Sequence, residues 1–167
     1  MDIFREQLVV RKKNNKDIAI IAGIIALAFV LSLVVMSFLG SLSFLLLCGI
    51  WFGAWWLVTG KNIEYEYIIT SNILDIDKIM AKRSRKRMES IDLKEAERFM
   101  PISDMPKTDI KIVDATPNGI EDGVYGIDFK SKAQTKRLLF KPDKEFLNLA
   151  KMACPSLVVL RNEDIEE

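Results

Sequence analysis

The chain has 167 residues, half of them hydrophobic, with 24 Lys/Arg against 23 Asp/Glu and a formal net charge of +1. That balance excludes the chain-wide basic attraction by which a protein tracks nucleic acid. Histidine is absent, which removes the commonest general base, the commonest metal ligand and the side chain that switches near neutral pH.

Residues 1–17 are a short polar N-terminus in which Arg5, Arg11, Lys12, Lys13 and Lys16 outweigh Asp2, Glu6 and Asp17. From Ile18 to Gly60 no residue is charged. As one straight helix this run would be roughly 65 Å long, about twice the hydrocarbon thickness of a bilayer. The small residues Gly40-Ser41 break it, so it predicts a two-helix transmembrane hairpin, 18–39 and 42–59. The alternative is a helical hairpin buried in a soluble core, but such helices seldom run this long with nothing more polar than serine. The run is also too long for a cleaved leader and lacks a small-x-small cleavage site, so it reads as a retained anchor. Basic residues flank both ends, Arg11-Lys12-Lys13 and Lys16 before it and Lys61 after it. Such flanks stay cytoplasmic, which predicts a multi-pass protein of the plasma membrane with both termini inside.

The second helix differs from the first. Trp51, Trp55 and Trp56 gather in its last half, where indoles anchor at the headgroup level. Gly49 and Gly53 form a small-xxx-small pair, as do Ala22 and Ala26; these serve either packing within the hairpin or a homo-oligomer face. Cys48 and Cys154 make neither a disulfide framework nor a zinc site.

After Gly60 the period becomes two. Ile63, Tyr65, Tyr67 and Ile69 alternate with polar residues as in a half-buried strand, and Thr70-Ser71-Asn72 turns. Further strands are expected over Ile73–Ala81 and Arg85–Leu93. Residues 94–100 read equally as a helical turn or as a fourth strand ending at Pro101. Asp109–Asp114, Val124–Lys130 and Thr135–Lys141 complete six or seven consecutive antiparallel strands, with a strong turn at Thr116-Pro117-Asn118-Gly119. A closing helix over 142–153 follows, with Phe146, Leu149, Ala150 and Ala153 on one face. Ser156–Leu160 reads as extended, and 161–167 as a frayed acidic tail.

One charged cluster stands out: Lys82-Arg83-Ser84-Arg85-Lys86-Arg87. Strand one starts at the membrane surface, and about nine residues at ~3.3 Å carry it ~30 Å away. The antiparallel return brings the cluster back near the headgroups. There Lys82, Arg83, Arg85, Lys86 and Arg87 would contact anionic lipid, at up to about 1 kcal/mol each. Alternatively the cluster is a solvated turn paired to Glu89, Asp92, Glu95 and Glu97, or a peptide or nucleic-acid contact. No aromatic interleaves the run, which speaks against nucleic acid. No catalytic signature, phosphate loop or metal-ligand spacing occurs. The pair Asp75 and Asp77 reads as solvated carboxylates, and Gly119–Gly123 lacks the spacing of a calcium loop.

The element order carries a resemblance. Strand hairpins from Asn62, then Lys141-Pro142-Asp143-Lys144-Glu145-Phe146-Leu147 opening the closing helix, resemble bacterial pleckstrin-homology-like (PH-like) domains. Two spans followed by such a domain are similar to small membrane proteins of the YcxB-like kind. The resemblance implies an α+β membrane protein: the hairpin, then over 61–160 an antiparallel PH-like β-sandwich or barrel capped by a C-terminal helix. It implies a scaffold that binds rather than catalyses, and no cofactor. Lipid-binding relatives of the wider fold carry basic residues in the first hairpin turn; Thr70-Ser71-Asn72-Ile73 has none, so phosphoinositide recognition is not carried over. The expected partners are the bilayer and a further protein, through an interaction module at the inner surface; alternatively the chain is a structural subunit of a larger membrane complex assembled through the hairpin.

Overall fold

A computed structural model describes residues 3–40, 43–131 and 134–164. Ser41 and Leu42 of the expected helical turn, Lys132 and Ala133 of the last strand turn, and the final three residues of the acidic tail lie outside the described residues.

The first finding is a correction. The N-terminal segment, expected as a basic flank, supplies a strand, β1 (Phe4–Val10). It pairs antiparallel with β2 (Ile63–Thr70), Val10 lying opposite Glu64 and Phe4 opposite Thr70. The two apolar helices, α1 (Asn15–Leu39) and α2 (Ser43–Thr59), are therefore an insertion in the connection between two neighbouring strands. The alternation of β1 does not follow hydropathy, although Val9 does pack against the core. Phe4, Leu8 and Val10 point outward and are exposed, while Arg5 and Gln7 face the closing helix. Arg5 donates to Asp143 at 2.7 Å and also pairs with Glu145. Gln7 donates to the Lys141 carbonyl at 3.2 Å and accepts from the Asp143 amide at 2.9 Å.

Sheet one has the order β1-β2-β3-β4, with β3 (Ile73–Met80) and β4 (Ser84–Asp92) antiparallel throughout. Sheet two has the order β5-β7-β8-β6. Here β5 (Arg98–Pro101), β7 (Tyr125–Ser131) and β8 (Gln134–Phe140) are antiparallel, so residues 98–101 are the fourth strand of the post-hairpin chain. The short β6 (Lys111–Asp114) instead pairs parallel to β8. A wholly antiparallel domain was expected; a parallel partner needs a long crossover, which β7 and its loop provide.

α3 (Lys144–Ala153) closes the domain, starting two residues later than predicted because Asp143 is its cap and accepts from the Phe146 amide at 2.7 Å. Its Phe146, Leu147 and Ala150 enter a core with Tyr67, Phe99, Tyr125, Ile127, Leu138 and Phe140. Phe140 meets Tyr67 edge-to-face at 5.4 Å between centroids, and Phe146 meets Phe140 at 6.1 Å. The Tyr67 hydroxyl donates to the Ala115 carbonyl at 2.6 Å, and burial drives its pKa well above the ordinary 10.0. Across β7 and β8, Arg137 grips buried Asp128 through two hydrogen bonds of 2.6 and 2.8 Å. The expected extended piece at 156–160 is reduced to a bridge from Val158 to Phe99.

The hairpin packs along a narrow seam. In α1 the covered positions Ile21, Ile24, Ala28, Ser32 and Val35 recur at helical spacing; in α2 they are Ser43, Leu47, Ile50, Ala54 and Val58. Only Ala28, Ser32, Ser43 and Ala54 are buried among the described residues of α1 and α2. Small side chains thus set the helices close together, and the large apolar ones point away. α1 is long and apolar enough to cross a membrane; α2, with 17 residues, is shorter.

Candidate functional site

The end of the β domain from which the helices leave is where the charged and aromatic features meet. Three backbone segments converge there. Residues 11–14 link β1 to α1, residues 60–62 link α2 to β2, and residues 81–83 turn from β3 to β4. Arg11 N–H donates to the Ile63 carbonyl at 2.9 Å, and Ala81 N–H donates to the Asn62 carbonyl at 2.8 Å. Asn14 and Asp17 cap α1 reciprocally, fixing where the chain enters the helix.

The β3–β4 turn closes with Arg83 N–H on the Met80 carbonyl at 3.0 Å. Its two central residues, Ala81 and Lys82, have φ of 53° and 56°. This left-handed pair is the geometry that Asn-Gly adopts at low cost and that other side chains adopt with strain. The turn delivers Arg83 onto α2. The guanidinium carbon lies 3.9 Å from the Trp56 ring centre and 5.4 Å from that of Trp55, and Nη2 donates to Thr59 Oγ1 at 2.8 Å. Lys82 stays mostly solvated, with Nζ 3.9 Å from Glu64.

Between these parts lies a cavity of about 430 Å³, bordered by Arg11, Lys13, Trp55, Asn62, Lys82 and Arg83. A second, polar cavity of about 350 Å³ lies on the other side of the β1–α1 link, between Lys12, Asn14, Tyr65, Asp114 and Asn118. Loss of solvation raises the Tyr65 pKa there.

The structure splits the basic cluster. Lys82 and Arg83 are at the helix-proximal turn; Ser84 to Arg87 are already in β4. Arg85 pairs with Glu66 and lies 3.6 Å from Asp77. Arg87 reaches Asp77 and Asp75, each at 3.1 Å, and its hydrogen bond to Asp77 holds it still more firmly protonated. Lys86 points to the other face, opposite Lys78. The expected partners Glu89, Asp92, Glu95 and Glu97 are not the ones used: Glu89 holds Lys136 at 2.6 Å, Asp92 accepts from Asn72 and the Lys94 amide, and Glu97 lies 3.2 Å from Lys130. Nor are Asp75 and Asp77 a solvated pair. Glu66 and Asp77 are each only 3% exposed, so Arg85 and Arg87 supply the countercharge that such burial requires.

The remaining predicted positions lie on the helices. Trp51 is exposed one turn before the Arg83 contact. At Gly49 and Gly53 an added Cβ would meet nothing within 4 Å; Gly49 is exposed, as are Ala22 and Ala26, whereas Gly53 is half-buried at the edge of the seam beside Ala54. Arg11, Lys13, Thr59, Asn62 and Glu64 were missed as site residues. The signal was Arg11-Lys12-Lys13 itself, read only as a flank because β1 was not recognised. Among the described residues no group of three or more Cys, Asp or Glu side chains is placed to hold a metal ion.

Two packed sheets closed by a C-terminal helix, with a turn-lined open end, define a PH-like module. The chain belongs to the family described as Bacterial PH-like domain (DUF6106), which matches residues 1–160. That match includes both β1 and the inserted helices. No curated protein and no solved structure is similar to the chain.

Proposed function

We propose that the protein is a membrane-anchored interaction module: α1 and α2 cross the plasma membrane as a hairpin, and the PH-like domain stands at the cytoplasmic surface to engage a protein partner and anionic lipid. The observation that carries this reading is the insertion of the apolar hairpin between paired strands. The domain is fastened to the helices by two backbones, through links of only a few residues. The helix surfaces suit lipid: Phe29, Phe38, Phe44, Leu45 and Leu57 are exposed. The hydroxyls of Ser32, Ser37 and Thr59 return to carbonyls of their own helix at 2.8–3.0 Å, and that of Ser43 to the Gly40 carbonyl at the end of α1 at 2.6 Å, as an environment without water demands. Arg11, Lys12, Lys13, Lys16, Lys61, Lys82 and Arg83 all lie where the helices leave the domain, the pattern of a cytoplasmic flank. Arg85 and Arg87 are occupied by acids, so the anionic-lipid contact narrows to this collar, with Lys86 outside it. The reading is of a binding protein rather than an enzyme.

Carbonate extraction and protease protection test it. The chain should stay in the membrane pellet, and trypsin should digest the β domain in inverted vesicles only. Release by carbonate, or digestion in right-side-out vesicles, would refute the topology. A second reading, a subunit assembled through the hairpin, is favoured by the open space beside Gly49 and Gly53. Gly49→Leu/Gly53→Leu should then abolish detergent-resistant oligomers.

A further inference from the structure

We propose that the cavity between the β1–α1 link and the β3–β4 turn binds the phosphate of a single anionic phospholipid, seated between Lys13 and Lys82 and walled by Arg83 and Trp55. This deepens the reading above and rests on the hairpin lying in the bilayer.

A diffuse basic surface would need no cavity. Here Arg11, Lys13, Lys82 and Arg83 border one space of about 430 Å³. Asp17 engages Arg11 at 3.1 Å, and Glu64 offsets Lys82 only loosely at 3.9 Å. These are the acids that face the group, so net positive charge remains. The apolar side of the space is Trp55, whose ring is exposed on the helix surface. A headgroup in the cavity would thus have its acyl chains leave along an apolar wall, which a free phosphate could not use.

The positions of the two lysines differ in kind. Lys13 is held by a capped helix start and by Lys12 N–H on the Pro117 carbonyl at 2.7 Å. Lys82 is held by a turn whose left-handed pair carries no glycine. Such strain persists where surroundings over-determine it, and it concentrates at ligand clamps. The Arg83 contacts to Trp55, Trp56 and Thr59 are those surroundings.

The experiment uses the full chain in mild detergent, observed by native mass spectrometry. Phosphatidylglycerol and phosphatidylcholine of equal acyl length are titrated in separate arms, and inorganic phosphate is offered as a competitor. One phosphatidylglycerol per chain is expected, preferred about tenfold over phosphatidylcholine and weakened about tenfold in Lys13→Gln/Lys82→Gln. Lys86→Gln removes a charge outside the cavity and should leave binding unchanged. Equal loss in Lys86→Gln, no headgroup preference, or displacement by millimolar phosphate would each overturn the site. Both substituted lysines are exposed, and an unchanged circular dichroism spectrum confirms that the variants fold. Carbonate extraction of the same chain separates the outcomes: a membrane-retained protein that binds no lipid sinks the site alone, whereas a carbonate-released protein sinks the anchoring on which it rests.

Discussion

The hairpin and the β domain solve the same packing problem in opposite ways. The domain buries its large side chains, with Tyr67, Phe99, Tyr125, Phe140 and Phe146 essentially inaccessible. The hairpin buries its small ones and exposes Phe, Leu and Trp. In water, burying an aromatic removes a large apolar area at roughly 25 cal/mol per Å². In the bilayer proposed above no such gain would be available, and close backbone approach over Ala28, Ser32, Ser43 and Ala54 would hold the two helices together. One chain therefore carries two opposite packing patterns, and the collar of Lys and Arg lies where they meet.

The sharpest way to break the comparison is to separate the regions. Replacing residues 12–61 with Asn-Gly should leave a soluble, cooperatively folded domain, because β1 and β2 are antiparallel neighbours at that point. Deleting residues 1–10 instead strips β1 and the Arg5 and Gln7 ties to α3, and should abolish cooperative thermal unfolding. If both variants melt alike, the hairpin is not a mere insertion.

Within the domain, Phe146→Ala should cost about 3–5 kcal/mol in urea denaturation, with no change in the helicity of the hairpin in detergent. A parallel loss of hairpin helicity would mean that the two regions fold as one unit.

A smaller effect concerns the chain's three tyrosines, all in the domain and all with raised pKa. Desolvation is the main cause at each, joined at Tyr125 by its 2.5 Å hydrogen bond to Asp164. The fold favours the neutral phenol. The stability this contributes is whole below the ordinary value of 10.0 and is lost as pH rises beyond it, with Tyr125 pushed up to about 12. Tyrosinate absorbance at 295 nm should therefore appear at higher pH in the folded chain than in the unfolded one, and should jump on unfolding at pH 10. Identical titration of the folded and unfolded chains would contradict the burial.

The smallest expected change lies at the boundary. Ala81→Asn suits a φ of 53° and should raise domain stability by about 0.5–1 kcal/mol, read from the urea midpoint. No gain would mean that the Arg83 contacts, rather than backbone preference, set this turn.

Acid sensitivity gives a further contrast. The Lys94 amide and Asn72 hold the Asp92 carboxyl below its ordinary 3.8. Its contribution is present at neutral pH and is lost as pH falls below that value. Asp92→Asn should flatten the acid limb of the stability curve, whereas an unchanged limb would remove Asp92 from the account.

Much of this was legible in order along the chain. The uncharged run, the tryptophans, the period-two strands and the amphipathic helix 144–153 each announce themselves through local pattern, because solvent and backbone geometry act on neighbouring residues. The PH-like class was visible in the same sequence of elements. What escaped was set by partners far away in the chain. β1 was hidden because Phe4, Leu8 and Val10 face outward while the polar Arg5 and Gln7 face in, where each hydrogen-bonds Asp143, 138 and 136 residues distant. Parallel pairing of β6 needs knowledge of β8. The partition of the basic cluster depends on register: the irregularity between Ile76 and Asp77 sets Arg87 opposite Asp77, making two half-exposed cations the countercharge of buried acids and leaving Lys82 and Arg83 at the helices. Local chemistry thus determined the elements and their apolar faces, while the cavity at their junction exists only because strand pairing brings residues 11–13, 55–62 and 81–83 together.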